Sequence, residues 1–412
     1  MAPKGNLAVG QSGGPTAVIN CSLAGIITEA LAQDAHVGEI YGLVHGIEGA
    51  LRGELVDLRR QPPEFLAHLC HTPAAVLGSC RYKLRPEEYA RVLEMLRAHD
   101  VRYFLYIGGN DSMDTSQRIA EAAQAAGYEL FVVGVPKTVD NDLPCTDHTP
   151  GYGSIARYWA LHAMEAAQDL AAMRRYDQVK ILETMGRNAG WVAASTALGR
   201  CLPDDPPHLI YVPERPFDQE RFLSDVEEVY RRHGYVLVTV AETIRDSMGQ
   251  PVGRAEGAFA RDAFGHAVLE GTAQMLCRLV EQHLGLKSRF NKPGTAQRVA
   301  AHCASEVDRR EAYEAGRVAV RLAVSGQSGM MVTLVRESDE PYRCTTGVAP
   351  LQAVANAERR LPDEFIAPAG NNVTEAFLRY ARPLIGAPLP ARARLWRPGS
   401  STGVCSHSPG MA

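Results

Sequence analysis

Seven consecutive residues, Pro136-Lys137-Thr138-Val139-Asp140-Asn141-Asp142, place one ammonium, one hydroxyl, one amide and two carboxylates in one short stretch. Lys137 can neutralise phosphoryl oxygens, and Asp140 and Asp142 can bind a cation or accept a proton. The same mixture also suits a solvated polar turn, since Asp-Asn-Asp is ordinary turn chemistry. The apolar run Leu130–Val135 ahead of it reads as a buried strand, which Pro136 prevents from continuing its ladder. The stretch is therefore predicted to be a loop leaving the carboxyl end of a strand.

A second site of the same kind lies near the amino end. Leu7–Val9 reads as a short strand, Gly10-Gln11-Ser12-Gly13-Gly14-Pro15-Thr16 as a glycine loop, and Val18–Leu31 as a helix. Backbone N–H groups in such a loop can approach an anion without interference from side chains. The Gly-Lys-Ser/Thr ending of a Walker loop is missing. Gly10 to Gly14 also satisfies the Gly-x-Ser-x-Gly pattern of a hydrolase elbow, so a serine hydrolase is one reading of these residues alone. Gly108-Gly109-Asn110-Asp111-Ser112 repeats the arrangement with a carboxylate added, although an ordinary helix cap explains it equally well. Gly151-Tyr152-Gly153-Ser154 follows a polar loop instead of a strand, so it reads as a helix start leading into Ser154–Met173.

The elements needed to position these loops recur along the chain. Tyr103–Ile107, Val179–Leu182, Leu209–Val212, Tyr235–Val240 and Met330–Val335 read as buried strands, with helical stretches such as Pro86–Ala98 and Ser116–Gly127 between them. That alternation predicts an α/β fold with doubly wound, mainly parallel sheets, and 412 residues suggest two lobes. In such sheets ligands bind beyond the carboxyl ends of the strands, where the polar clusters fall. The net charge of -4, from 43 basic and 47 acidic residues, gives no polyanion footprint, so a small-molecule partner is expected and no nucleic acid. No stretch has the length and apolarity of a signal peptide or membrane span, which predicts a cytoplasmic protein with no membrane partner. The nine cysteines show no Cys-x-x-Cys pair and are expected to be reduced thiols. His68-Leu69-Cys70-His71 lacks a second ligand group at useful spacing and reads as structural.

Taken together, Gly13-Gly14-Pro15, Gly78-Ser79-Cys80-Arg81, Gly108 to Ser112, Pro136 to Asp142 and Glu183-Thr184-Met185-Gly186-Arg187 resemble the phosphofructokinase family, from about Leu7 to at least Val335. The ATP-dependent branch of that family carries glycine at the positions matching Asp111 and Lys137. The pyrophosphate-dependent branch is similar to this chain at both. A carboxylate and a lysine there crowd the space of a nucleotide's α-phosphate, whereas Lys137 can hold a compact pyrophosphate.

The resemblance implies reversible phosphoryl transfer between pyrophosphate and the 1-hydroxyl of fructose 6-phosphate, giving fructose 1,6-bisphosphate and phosphate, with Mg2+ as cofactor and sedoheptulose 7-phosphate as a further acceptor. It implies that Asp140 is the base, assisted by Asp142 and Thr138, with Lys137, Arg187 and Gly13 at the transferring group. Gly13, Gly14, Arg81, Lys137 and Asp111 match donor positions. Thr138, Met185, Gly186, Arg187, Glu242, Arg289 and Arg298 match sugar-phosphate positions, the two last arginines facing the 6-phosphate. Asp111 and Asn110 match the metal site, Asn110 standing where the family usually has aspartate. Thr295 replaces a histidine, and Gln178 an arginine that reaches across subunits in bacterial ATP-dependent enzymes, with Lys180 a candidate to compensate. The family further implies a homodimer or homotetramer. Residues 1–148 with about 299–350 are expected to form the donor lobe, 149–298 with about 351–396 the sugar-phosphate lobe, and 397–412 a disordered tail. The rival readings are an ATP-dependent enzyme and a non-catalytic regulatory subunit of the same fold.

Overall fold

The structure is a computed structural model, and it describes residues 4–253, 271–393 and 404–405. The chain divides into two compact units, Met1–Ile155 with Arg298–Arg359, and Ala156–Gln297 with Arg360–Ala412. The strands in chain order are β1 (Gly5–Gln11), β2 (Val37–Leu43), β3 (Leu55–Asp57), β4 (Val101–Gly108) and β5 (Phe131–Pro136). They continue as β6 (Val179–Thr184), β7 (Leu209–Tyr211), β8 (Val236–Ala241), β9 (Ser288–Asn291), β10 (Met330–Asp339) and β11 (Tyr342–Pro350), with β12 (Arg392–Ala393) and β13 (Val404–Cys405) last.

The first unit is built on a sheet of order β11-β10-β5-β4-β1-β2-β3. Its centre is parallel, β1 lying between β2 and β4, and β4 against β5. Only β3 on β2 and β11 on β10 run antiparallel. Strand residues alternate between two cores, as a sheet covered on both faces requires. Leu7, Val9, Leu105 and Ile107 face one cluster with Ile26 and Val320. Ala8, Phe104 and Tyr106 face another with Val92, Met113 and Ile119. The first cluster is sealed by helices Ile19–Ala32 and Glu306–Val324, which cross so closely that glycines are required. A Cβ on Gly25 would lie 2.0 Å from the Tyr313 carbonyl oxygen, and one on Gly316 2.1 Å from that of Ser22.

The second unit holds a parallel sheet of order β7-β8-β6-β9. Val179, Ile181, Val236, Val238 and Val240 form its core with Phe222, Leu276 and Val280 from helices Gln219–His233 and Thr272–Leu284. The doubly wound, mainly parallel architecture expected from the alternating runs is therefore present in the sheets themselves.

Two expectations need correction or restriction. Cys201 is disulfide-bonded, so the cysteines are not all reduced thiols. Local spacing of the cysteines carries no sign of a pairing between distant segments. The tail expected to be disordered from residue 397 lies outside the described residues, except for β13, which pairs with β12. Arg392 of β12 in turn donates to Asp205, whose carboxylate accepts the Cys201 N–H. Among the described residues no helix is long and apolar enough to cross a membrane.

Candidate active site

Register decides which loops share an edge. Gln11 pairs with Ile107 and Gly108 with Pro136, so β1, β4 and β5 release their following loops at one edge of the sheet. Pro136 is the last strand residue, one later than expected, and the Lys137 N–H then donates to the Gly108 carbonyl at 3.0 Å. The loops are locked to one another by short polar contacts. Ser12 and Ser112 share a hydroxyl–hydroxyl bond of 2.9 Å, which ties up the serine of the hydrolase-like pattern. Gly13 takes a positive φ, donates its N–H to the Cys80 carbonyl and accepts from the Ser79 hydroxyl at 2.6 Å, so the Gly78–Arg81 stretch docks onto it.

The result is a cluster of cations around two glycines. Lys137 is buried, and its Nζ donates to the Gly14 carbonyl at 2.9 Å. A Cβ on Gly13 would meet that Nζ at 3.2 Å; one on Gly14 would meet Arg298 Nη1 at 2.9 Å and Arg81 Nη2 at 3.4 Å. Burial and the neighbouring Arg298 and Arg81 draw the ammonium down to about 7, against the opposing pull of Asp140 and Asp142. Three cationic groups without side chains on the glycines beside them form a seat for a compact polyanion.

Beyond Lys137 the loop turns sharply, with Asn141 at φ 55°. The Asp140 N–H donates to Thr138 Oγ1 at 3.1 Å. Asp142 is raised in pKa, first by burial and then by the charge of Asp140, and its Oδ1 is buried with no hydrogen-bond partner. Two carboxylates this close disfavour joint ionisation, the electrostatic signature of an acid/base or cation-binding pair.

Asn110 and Asp111 open the helix Asn110–Ala125. Gly109 is its cap residue, with no side-chain cap bond, so neither Asp111 nor Ser112 plays the capping role that the sequence allows. Both ends of the Asn110 amide are bonded: its oxygen accepts the Asn356 N–H at 2.7 Å and its nitrogen donates to the Ala357 carbonyl. Asp111 is exposed. Of the two residues matched to a metal, only Asp111 keeps a side chain directed to solvent.

In the second unit, Met185, Gly186 and Arg187 follow β6 and Glu242 follows β8, again at carboxyl ends. Gly186 has φ 119°, and the Met185 N–H donates to Gln297 Oε1 at 2.9 Å, an oxygen that also accepts from Trp159 Nε1. Burial raises Glu242, with Arg187 acting to lower it. Arg289 is exposed and donates to Asp177 at 2.6 Å. Lys180 is buried against Asp169, and Gln178 accepts the Lys287 N–H, so neither side chain stands ready for an anion. Arg298, placed by sequence with Arg289, sits instead beside Gly14 in the first unit.

Residues 6–323 match the family model described as phosphofructokinase. The chain belongs to the phosphofructokinase family. A phosphofructokinase relative from Xanthomonas campestris pv. campestris, named pyrophosphate-fructose 6-phosphate 1-phosphotransferase, is 46% identical over 94% of this chain and 93% of its own. A relative of the same name from Halomonas elongata is 44% identical over 91% of this chain and 90% of its own. The crystal structure of the pyrophosphate-dependent phosphofructokinase from Marinobacter aquaeolei superposes with a TM-score of 0.84 at 40% identity, covering 93% of this chain and 92% of that one. Within this phosphofructokinase, the residues that sequence reading missed are His148, Thr149 and Arg359. Thr149 holds the Asn141 side chain and the Thr138 carbonyl, and Arg359 donates to the carbonyls of Asn141, Thr146 and Asp147. Their only sequence signal is proximity to the Asp140 loop, and for Arg359 not even that.

Proposed function

We propose that the protein catalyses reversible transfer of a phosphoryl group from pyrophosphate to the 1-hydroxyl of fructose 6-phosphate, releasing phosphate and fructose 1,6-bisphosphate. The observation that carries the choice of donor is the buried Lys137 beside Arg81 and Arg298 over Gly13 and Gly14. Concentrated positive charge in a small volume suits a compact polyanion, and the names of the relatives point the same way.

Asp140 accepts the proton of the sugar hydroxyl as its oxygen attacks phosphorus and the bridging P–O bond breaks. Lys137, Gly13 and Arg187 stabilise charge at the transferring group, where positioning and electrostatics supply most of the catalysis. Asp142 and Thr138 hold the loop around that group. Arg81, Gly14 and Asp111 complete the donor side, to which Arg298 is now assigned. Met185, Gly186, Glu242 and Arg289 form the sugar-phosphate side, so the first unit serves the donor and the second the sugar phosphate.

Magnesium fits the donor set: Asp111 is an exposed carboxylate, and Asp142 Oδ1 is a buried oxygen without a partner. Mg2+ takes one or two carboxylates together with substrate phosphate oxygens. Asn110 offers an uncharged oxygen that already accepts the Asn356 N–H, so Asp111 carries the larger share of the task. When bound, the ion would neutralise phosphate charge during transfer. The protein is assigned to the cytoplasm as a homo-oligomer.

The test is an assay with fructose 6-phosphate and magnesium, offering pyrophosphate or ATP, with sedoheptulose 7-phosphate as a second acceptor, repeated for Asp140→Ala. Turnover with pyrophosphate alone, lost in the variant, supports donor and base together. Turnover with ATP alone overturns the role of Lys137; sugar-phosphate binding without turnover would indicate a regulatory subunit.

A further inference from the structure

The loop carrying Asp140 is held from behind by a side chain that none of its motifs includes. His148 is 1% exposed at its ring, yet both ring nitrogens face carboxylates. Nδ1 lies 2.7 Å from Asp147 Oδ2 and Nε2 2.7 Å from Glu311 Oε2. An imidazolium, which carries an N–H on each nitrogen, satisfies both carboxylates at once. The partners are themselves fixed. Asp147 accepts from Arg336 of β10, and the second Glu311 oxygen accepts the Tyr342 hydroxyl of β11 at 2.7 Å. Cys344 of β11 completes the polar groups facing the ring, close enough that His148, Glu311 and Cys344 could together reach one ion. The carboxylates Asp147 and Glu311 are offset by His148 and Arg336, which makes the buried cluster a balanced one.

The ring is therefore an anchor joining the loop, the helix Glu306–Val324 and the β10–β11 hairpin. What it anchors is the far end of the base loop. The next residue, Thr149, donates its N–H to Asn141 Oδ1 at 3.0 Å and its hydroxyl to the Thr138 carbonyl at 2.9 Å. Thr138 and Asn141 flank Asp140, and Asn141 takes a positive φ, at which its side-chain oxygen is held by the Thr149 N–H. A side chain outside the reaction thus determines where the backbone on either side of Asp140 lies.

We infer that His148, clamped between Asp147 and Glu311, is a positioning residue for phosphoryl transfer, setting the Thr138–Asp142 loop through Thr149. The inference rests on Asp140 being the base. With its ring buried and both nitrogens engaged by carboxylates, loss of His148 acts on the alignment of the base more than on ground-state binding. Displacements of an ångström at a catalytic group cost on the order of 100-fold in rate.

The experiment measures steady-state kinetics for His148→Gln, Thr149→Val and the double variant, with melting temperatures to confirm that each is folded at the assay temperature. The expected result is a kcat lower by about 10- to 100-fold in each single variant. KM for pyrophosphate and fructose 6-phosphate should stay within about threefold, and the double variant should be little worse than either single one, as for residues acting in series. Folded variants with kcat within twofold of the parent would overturn the inference, as would effects confined to KM or simply multiplying in the double variant. Should His148→Gln not fold, Thr149→Val alone decides, since it keeps the buried cluster and the backbone bond to Asn141 and removes the hydroxyl's contacts with the Thr138 carbonyl and Asn141 Oδ1. Asp140→Asn, run alongside, separates the two ideas. If it retains activity the base assignment fails, whatever His148 does.

Discussion

Lys137 offers the sharpest prediction, because its titration reports on what binds beside it. Burial and two arginines hold its pKa at about 7, against an ordinary 10.5. At pH 8 about a tenth of the unliganded protein carries the proton on this residue, and at pH 7 about half. A phosphate anion seated among Lys137, Arg81 and Arg298 reverses the cation–cation repulsion and restores the charged form. Binding should then take up as much as about 0.9 proton at pH 8 and about 0.5 at pH 7, so that this lysine makes affinity fall about eightfold per pH unit near pH 8. Calorimetric titration of pyrophosphate in two buffers with different ionisation heats measures the uptake. The ligand's own ionisation is common to the parent and to Lys137→Met, so the difference between the two proteins belongs to the lysine. Losing one charge-assisted hydrogen bond should also weaken binding by about 10- to 150-fold, still within reach of the method because both arginines remain. Equal proton uptake by the two proteins would refute the argument, and with it the donor seat at Gly13 and Gly14.

Asn110→Ala should lower stability by about 0.5–1.5 kcal/mol in urea unfolding, because the exposed Asn356 N–H and half-buried Ala357 carbonyl exchange their partner for water. The magnesium concentration needed for half-maximal rate should change little; a clear increase would give Asn110 the larger share. Asp140→Asn removes the charge that, after burial, helps hold the Asp142 carboxyl high, so the Asp142 titration followed by carboxyl NMR should move to lower pH, and an unmoved titration would uncouple the two carboxylates. His148 is raised from 6.5 to about 9 by hydrogen bonds and charges from Asp147 and Glu311, which outweigh its burial. A raised pKa gives stability that is complete below pH 6.5 and lost as pH climbs through 9, about 3 kcal/mol in all. Unfolding free energies at pH 6 and pH 9.5 should show that loss in the parent and a much smaller one in His148→Gln.

Strand-to-loop transitions were legible because burial on both faces writes continuous apolar runs, as at Val179–Leu182 and Tyr235–Val240, and because glycine and proline mark where they stop. The observed strands β6 and β8 match those runs within two residues at each end. Helix starts were harder. The helix predicted over Ser116–Gly127 begins at Asn110, six residues earlier, since the Asn110–Thr115 turn is polar and its helical state comes from packing against β4 and β5. The edge strands β3, β9 and β11 went unread because an edge needs only one ladder, and short or half-exposed segments, β2 beside β3 among them, leave no period to detect. Within the site, residue types announced Lys137, Asp140 and Asp142. Partnerships did not show: that Arg298 lies by Gly14, that Asn110 serves residues 356–357, or that His148 reaches Glu311, each depends on contacts over about 160 to 285 residues of chain.

The crossing of helices Ile19–Ala32 and Glu306–Val324 has an evolutionary side. Gly25 and Gly316 each leave room for the backbone of the opposite helix, so neither can gain a methyl group unless the pair moves apart. The first of these helices begins a few residues after Gly13 and Gly14, and any separation would be felt at the donor loop. Drift at two inconspicuous glycines, far in sequence from any ionisable group of the reaction, is thereby subject to the same selection as the reaction itself. In diverging lineages the two positions should change together or not at all.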